Sequence, residues 1–319
     1  MSRRTSGYRR TPAPDIKVDV DLPGKMYGIW KGRKYGGWGS LLTPAVATTE
    51  LIEAPQHIID SIFQDELSVT AVNLADLIVL ETDRPTASWK FARSLTKAES
   101  SLEYLRSICE EAVLISARRG NGQERMVALC NVAAPSITLT SSDVALDGVT
   151  PLCEKTETPL ENIRNEFYLN YKYSYYKDAY DKQIYCTASA DNLTDNTRDN
   201  TDGYGATYQA LCSGSQTRYN QTIKWEFDAD WIRTDAVANL FIKIMMNWLC
   251  YRKPIFKATL LYTANSLSLE LGDRILINHS LLPTGISNTR QFIVTNLTDG
   301  GMTRIGQIDA EFTMIPETI

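Results

Sequence analysis

Histidine is almost missing from this 319-residue sequence: His57 and His279 are the whole supply. Neither stands in an H-E-x-x-H or similar ligand motif, so a zinc hydrolase or an imidazole-based triad has little to be built from. Cysteine is scarce in pattern rather than in number. Cys109, Cys130, Cys153, Cys186, Cys212 and Cys250 are each more than twenty residues from the next, with no C-x-x-C, which argues against structural zinc. Four distant cysteines converging on an iron–sulfur cluster is the sharper alternative, but clustered spacing is the usual mark of such a site. Buried free thiols are the preferred reading. No stretch approaches the roughly 18 consecutive apolar residues of a membrane span. Arg3, Arg4, Arg9 and Arg10 have no apolar run behind them, as a secretory signal would require. The Asn-x-Ser/Thr triplets at Asn192, Asn220, Asn278 and Asn296 therefore carry no glycosylation reading. A soluble chain made in a reducing cytosol is expected.

A general excess of positive charge is also lacking. Lys and Arg number 33 against 38 Asp and Glu, for a net charge of −5, which excludes a chain basic throughout, the usual footprint of a nucleic-acid binder. With 43% hydrophobic residues, wholesale disorder is excluded too. At about 100–200 residues per domain, two or three domains fit. The charge is uneven. Residues 1–40 hold nine basic residues against Asp15, Asp19 and Asp21, a net +6, which leaves −11 for the rest.

What is present reads as a mostly β, α+β chain. Residues 1–14 form a basic flexible arm. Ile16, Val18, Val20 and Leu22 alternate with polar residues as in a half-buried strand. Glycines 28, 32, 36, 37 and 39, interleaved with Tyr27, Trp30, Tyr35 and Trp38, read as a loop resting aromatics on a neighbouring surface. They are not a phosphate loop, since no Gly-Lys-Ser/Thr follows. Pro55 suits the first turn of a helix with Ile58, Ile59, Ile62 and Phe63 on one face and Gln56, Asp60 and Gln64 on the other. A loop and short strand over 68–85 and a strand over Trp89–Leu95 follow. Ser100 and Glu103 have capping-box spacing before a helix carrying Leu102, Leu105, Ile108 and Ala112. A hairpin about Gly120-Asn121-Gly122 then joins 113–118 to 125–130.

Phe167, Leu169, Tyr171, Tyr173 and Tyr175 alternate as a long strand with an aromatic face, returning after Lys177-Asp178 to Cys186. Residues 187–205 are a polar loop, helical character resumes near Tyr208–Cys212, and 223–227 alternate as a strand. Asp235 is the expected cap of the clearest helix, with Ala236, Leu240, Ile244 and Trp248 as its stripe; Arg252 and Lys253 complement its dipole before Pro254. Strands are expected over 255–263, 268–271, 274–278, 292–296 and 303–314, with turns at Gly272-Asp273 and Asp299-Gly300-Gly301, as in a small barrel or sandwich. The plan is an arm (1–14), a β-rich tube-like domain (15–54 with 131–234), an α+β module (55–130), and a helix leading a small barrel (235–319).

Catalytic sets are weak. Asp228 and Asp230 flank Ala229, but Asp-x-Asp before a helix is more often a capping turn. A glycosidase needs a paired acid and base, and nothing local marks one. Arg118-Arg119 beside the glycine turn reads as a solvated hairpin tip rather than a phosphate contact. No catalytic, cofactor-binding or metal-binding residue is assigned.

Three stretches resemble the trimeric baseplate-hub and tail-tip proteins at the distal end of bacteriophage tails. The first runs from Pro55-Gln56-His57-Ile58-Ile59-Asp60 through Trp89-Lys90-Phe91-Ala92 and Leu102–Cys109 to the hairpin. The second is Asp235–Leu249 with Arg252-Lys253-Pro254. The third is Leu269-Glu270-Leu271-Gly272-Asp273-Arg274-Ile275-Leu276-Ile277, completed by Phe292-Ile293-Val294-Thr295 and the last strand. Together they span residues 55–315.

The resemblance implies hub-type barrel or sandwich domains, no enzyme activity and no cofactor. It implies a three-fold ring in the virion, assembled in the host cytoplasm, closing the tail tube. Its partners would be further copies of the chain, the distal tail or tube protein, the tape-measure protein and tip or fibre proteins, with DNA passing through unread. Larger members carry fibre or hydrolase modules after this region, so a chain stopping at Ile319 implies that wall cutting resides elsewhere. An acidic wall suits passage of DNA, and the basic arm would strap an acidic neighbour. The rival readings are a tail-associated cell-wall hydrolase and a receptor-binding tip protein.

Overall fold

A computed structural model describes residues 51–62, 80, 88–93, 100–118, 124–129, 135, 137–199, 202–278, 290–299 and 306–316. The basic arm, the strand at 16–22, the glycine–aromatic stretch, the segment 68–79, the hairpin turn 120–122, Leu95, Cys130, His279 and Gly300-Gly301 lie outside these residues. The chain divides into two units, Met1–Ile52 and Glu53–Ile319; the architecture that follows is that of the second.

It is a mixed α+β fold dominated by a curled mixed sheet, a half-barrel, with smaller helical and strand modules. Its elements are α1 (Pro55–Ser61), α2 (Ser101–Ala112), β1 (Leu114–Arg118), β2 (Glu124–Ala128), β3 (Ile137–Thr140), β4 (Leu146–Asp147), β5 (Thr150–Pro151), β6 (Cys153–Glu157), β7 (Glu166–Ser174) and β8 (Ala179–Cys186). They continue through α3 (Tyr208–Tyr219), β9 (Lys224–Asp228), α4 (Asp235–Leu249), β10 (Pro254–Leu261), α5 (Ala264–Leu267), β11 (Arg274–Asn278), β12 (Gln291–Asp299) and β13 (Gln307–Met314).

The first core is built on the three-stranded sheet β8-β7-β9. Period-2 alternation sends Phe167, Leu169 and Tyr171 of β7 inward and Tyr168 and Asn170 outward. β8 returns antiparallel, whereas β9 runs parallel to β7, which requires the crossover that carries α3. Trp225 and Phe227 of β9 meet Phe241 of α4 at ring-centroid distances of 6.0 and 5.3 Å. α1, the segment around Trp89 and Phe91, α2 and the β1–β2 hairpin join the same core. The second core lies under the six-stranded sheet β3-β11-β12-β13-β10-β6, with Phe256, Leu260, Ile275, Phe292 and Phe312 inside. β3 pairs parallel with β11, and the other pairings are antiparallel. Past β3 the chain makes a 3-10 turn, Ser141–Asp143, and Val144 bridges Leu260 of β10. One segment thus touches β11 and β10 alike, which curls the sheet on itself.

Several local expectations are corrected. Ser100 does sit at the N-cap of α2, but its side chain makes no cap bond, so the capping box does not form. α4 is capped by Thr234, whose hydroxyl accepts from the Val237 N–H; Asp235 is the first helical residue. Of the stripe expected on α4, Ile244 is buried and Leu240 and Trp248 pack partly buried against the first core, while Ala236 is exposed; Val237, Ala238, Phe241, Ile242 and Met246 are buried as well. On α1 the polar residues Gln56 and Asp60 are buried as well. Residues 89–92 form no strand, only a bridge from Phe91 to Ile232. Residues 268–271 are a turn following α5, again not a strand. Arg252 and Lys253 do not act as solvated dipole partners: Arg252 binds the Thr158 carbonyl and Glu157, and Lys253 is buried.

The polar loop 187–205 is pinned to α4. Asn239 accepts from the Thr194 N–H at 2.8 Å, and Arg198, itself buried, donates Nε to Asn247 at 2.9 Å and pairs its fork with Asp202. The helix that follows starts at a good cap: Thr207 Oγ1 accepts from the Ala210 N–H at 3.1 Å. Thr207→Ala is expected to lower stability by about 1 kcal/mol, read as a lower urea midpoint at unchanged slope.

Candidate functional site

The carboxylates raised from sequence do not form an acid–base pair. Asp228 accepts from Asn170 Nδ2 at 2.7 Å on the outer face of β9, while Asp230 holds Tyr180 Oη at 3.1 Å and Arg93 at 3.1 Å. Neither caps α4, since Thr234 does, so the capping-turn reading is corrected as well. His57 is buried in α1. Arg118 ends β1, and Arg119 lies outside the described residues.

Three cysteines distant in sequence do meet. Cys186, Cys212 and Cys250 are wholly buried in the first core. The hydrogen bond that the Cys186 thiol donates to Cys212, together with burial, raises the Cys186 thiol. At Cys212 the bond with Cys186 pulls the other way, but the bond with Cys250 and burial outweigh it. Reactive thiols and metal ligands need the thiolate, which this setting disfavours. Cys153 belongs to the second core, and among the described residues no group of three or more His, Cys, Asp or Glu is placed to hold a metal ion. Nor, among those residues, is any helix long and apolar enough to cross a membrane.

The outer face of the half-barrel carries an open groove of about 500 Å³ lined by Glu154, Lys257, Thr259, Asn296, Asp309 and Glu311. Its polar groups satisfy one another: Thr259 Oγ1 donates to Asp309 at 2.6 Å, and Lys257 pairs with Glu311 at 3.2 Å. With Glu154, Asp309 and Glu311 against one lysine the groove is net acidic, and Lys257 is already paired.

The most heavily built place outside the two cores is the junction between them, assembled from the hairpin, α4 and the turn before β11. Arg125 of β2 donates to Asp273 Oδ1 at 2.8 Å and to the Leu271 carbonyl at 3.3 Å. Asp273 Oδ2 in turn accepts from the Glu270 N–H at 2.7 Å. Arg274, buried, donates to the Ala128 carbonyl at 3.1 Å, and Trp248 Nε1 of α4 to the Leu129 carbonyl at 2.8 Å. Gly272, at φ +85°, presses its backbone against Val127. Val127, Ile293 and Ile315 bury a small apolar cluster there, with Ile115, Leu129 and Trp248 against it. Sequence reasoning named each stretch separately; a half-buried Arg–Asp contact between residues 125 and 273 leaves no local signal.

No family model matches the chain, and no curated protein matches it in sequence. Among solved structures it is similar to a chain of the virion of a native gene transfer agent particle, with a TM-score of 0.48 and 12% identity over 82% of this chain and 47% of that one. It is also similar to a tail protein from Neisseria meningitidis MC58 and to the 43 kDa tail protein of prophage MuSo2 from Shewanella oneidensis. Each of these gives a TM-score of 0.43 and 9% identity over 83% of this chain and 66% of the other. This chain therefore spans between about half and two thirds of the length of the chains it resembles, several of which are described as phage or prophage tail proteins.

Proposed function

We propose that the chain is a structural component of a bacteriophage tail, a hub protein. It forms a three-fold ring closing the distal end of the tail tube, joins tip or fibre proteins, and lets DNA pass at ejection. The observation that carries this reading is the junction around Val127. The hairpin, the long helix and the Leu-Gly-Asp turn are the three stretches that bear the resemblance, and they converge there through Arg125–Asp273, Trp248–Leu129 and Gly272 on Val127. A ring protein needs domains locked to one another so that load passes between them without rotation, and directional bonds around an apolar contact supply this. The outer edge of β9, unpaired with any strand among the described residues and bearing Lys224, Glu226 and Asp228, leaves a strand edge for a neighbouring copy. The −11 charge beyond residue 40 fits a wall that DNA passes without adhering.

The test joins the mass of the purified full chain by light scattering with electron microscopy of particles that contain it. Three copies in a ring at the distal tail end are expected. A monomeric chain located elsewhere in the particle, or clearing of cell wall in a zymogram, would overturn the reading.

A further inference from the structure

The sheet β8-β7-β9 has an edge on either side, and the chain covers the one along β8. There Asn192 closes the ladder: its Oδ1 takes the Tyr185 N–H at 2.7 Å, its N–H donates to the Tyr185 carbonyl at 3.1 Å, and its Nδ2 donates to the Gln183 carbonyl at 3.1 Å. β9 receives no such cover among the described residues. The Ile223 carbonyl accepts from the Asn165 N–H at 2.9 Å, and the Ala229 N–H donates to the Asn170 carbonyl at 2.8 Å. Backbone polar groups alternate sides along a strand, so the odd-numbered residues of β9 face β7, and Lys224, Glu226 and Asp228 point theirs outward.

The half-barrel ends on β6 in the same phase. The Thr158 N–H donates to the Lys253 carbonyl at 2.9 Å, and the Thr259 N–H to the Leu152 carbonyl at 2.9 Å, so the even-numbered residues face β10. Cys153, Lys155 and Glu157 therefore turn their backbone groups away from the sheet. Arg252 Nη2 reaches the Glu157 carbonyl at 3.4 Å; the other outward backbone groups of β6 have no partner among the described residues.

Laid antiparallel, the two edges match. Setting Glu226 opposite Lys155 puts Lys224 opposite Glu157 and Asp228 opposite Cys153, so each outward residue of one strand meets an outward residue of the other. Every such pair exchanges both N–H···O bonds, and the first two also bring opposite charges together. The alternatives fit worse. β9 laid on a second β9 about Glu226 sets Glu226 against Glu226, β6 on a second β6 sets Lys155 against Lys155, and the parallel arrangement of β9 with β6 sets Asp228 beside Glu157. Like charges placed opposite one another are destabilising. Lys224 already pairs with Glu226 at 2.7 Å and Glu157 with Arg252 at 3.1 Å, but these side chains are 36% to 53% exposed. Ion pairs of that kind yield to a new partner at little cost.

We propose that β9 of one copy pairs antiparallel with β6 of the next, joining the three-stranded sheet of one molecule to the half-barrel of its neighbour. The two surfaces differ, so the contact is head-to-tail and repeats from copy to copy until the ring closes. The proposal rests on the ring reading above and names the surfaces by which the ring is made.

The register supplies the test. In the full chain, Asp228→Cys places a thiol opposite Cys153 of the next copy, at the Cα separation of about 5.5 Å that a hydrogen-bonded antiparallel pair has and a disulfide spans. Oxidised glutathione, which takes up the two electrons, should convert most of this variant into covalent dimers and trimers on a non-reducing gel. Adding Cys153→Ser should lower that yield at least tenfold. Edge prolines give a readout without thiols. Glu226→Pro and Lys155→Pro each remove an N–H that no ladder within the chain uses, so either variant alone should associate at least tenfold more weakly than the wild type in light scattering. Mixed, they should form a one-to-one dimer, because one keeps β6 intact and the other β9. Circular dichroism checks that both are folded. Should a proline variant fail to fold, Lys155→Glu serves in its place, with association restored when Glu226→Lys is added. Cross-linking that persists without Cys153, or folded edge variants that assemble as tightly as the wild type, would overturn the pairing and leave the ring reading standing. A wild-type chain that stays monomeric at every concentration would overturn both.

Discussion

Replacing Glu111 with alanine is expected to lower the unfolding free energy by about 3–5 kcal/mol, because it strips the acceptors from three buried backbone donors at once. The carboxylate, 3% exposed on α2, takes the N–H groups of Asp230, Trp231 and Ile232 at 2.8, 2.9 and 3.2 Å. Those amides belong to the segment between β9 and α4, which lies outside any strand and pairs only through the bridge of Ile232 with Phe91 among the described residues. Trp231 is held there a second time, its indole N–H donating to Ser107 Oγ at 3.0 Å and its ring edge-on to Tyr104 at 4.8 Å. Glu111 thus ties the start of α4 to α2 across more than a hundred residues of chain.

The same group makes stability depend on pH. Burial raises the Glu111 carboxyl to about 8, against the lowering pull of the three backbone bonds. The folded state therefore binds a proton that the unfolded state, with an ordinary carboxyl near 4.5, has already lost. Stability falls as pH rises between those two values and is flat above the higher one. At about 1.4 kcal/mol for each pH unit between them, the decline amounts to a few kcal/mol. Urea unfolding at pH 5, 7 and 9 measures it. Glu111→Gln removes the titration and should flatten the slope, whereas an unchanged slope in that variant would assign the effect to another group.

The second large effect is expected at Gly272. A Cβ there would stand 2.7 Å from Val127 Cγ2 and 3.3 Å from Val127 Cβ, on a backbone at φ +85°. Gly272→Ala therefore combines a left-handed conformation without glycine's freedom and an overfilled contact, together about 2–5 kcal/mol. Adding Val127→Ala relieves the contact but not the backbone conformation, so the double variant should recover part of the loss. That coupling separates the two causes. Because the clash falls on the junction, denaturation of Gly272→Ala is also expected to lose its single transition, with the half-barrel melting first. A single sharp transition at wild-type position would refute both points.

Elements whose pattern is local were legible in the sequence. β7 shows why: the alternation of Phe167, Leu169 and Tyr171 specifies a strand and its inner face without reference to anything distant, although it breaks at Lys172, with a φ of 60°, and Tyr175 lies past the strand's end. β11 was legible to the residue because Gly272-Asp273 punctuates it. α4 was legible as a helix, but not by its face, since a helix covered on several sides has no single stripe to read. The caps were missed by one residue or by one bond, as at Thr234 and Ser100, where neighbouring residues share the same capping chemistry. What lay out of reach was pairing at a distance. The parallel partnership of β9 with β7, the meeting of Cys186, Cys212 and Cys250, and the pairing of Lys253 with Thr158 each depend on chain segments tens of residues apart. A basic pair before a proline reads as a helix end, and only the fold shows that Lys253 is buried with its backbone N–H on Thr158.

The parallel contact between β3 and β11 has a consequence for how the molecule comes into being. Ile137 lies opposite Ile275, and the strand between β12 and β10 is supplied by Gln307–Met314. Every strand pairing of the first core is complete by Asp228, whereas the half-barrel cannot close until β13 has left the ribosome. At about 5–20 residues per second in synthesis, β3 waits several seconds with an unsatisfied edge while its partner is made. During that interval Val144 and the strand before it are open to a neighbouring nascent chain. Assembly-prone protein of this kind gains from slow, dilute expression, in which each half-barrel finds its own β13 before it meets another molecule.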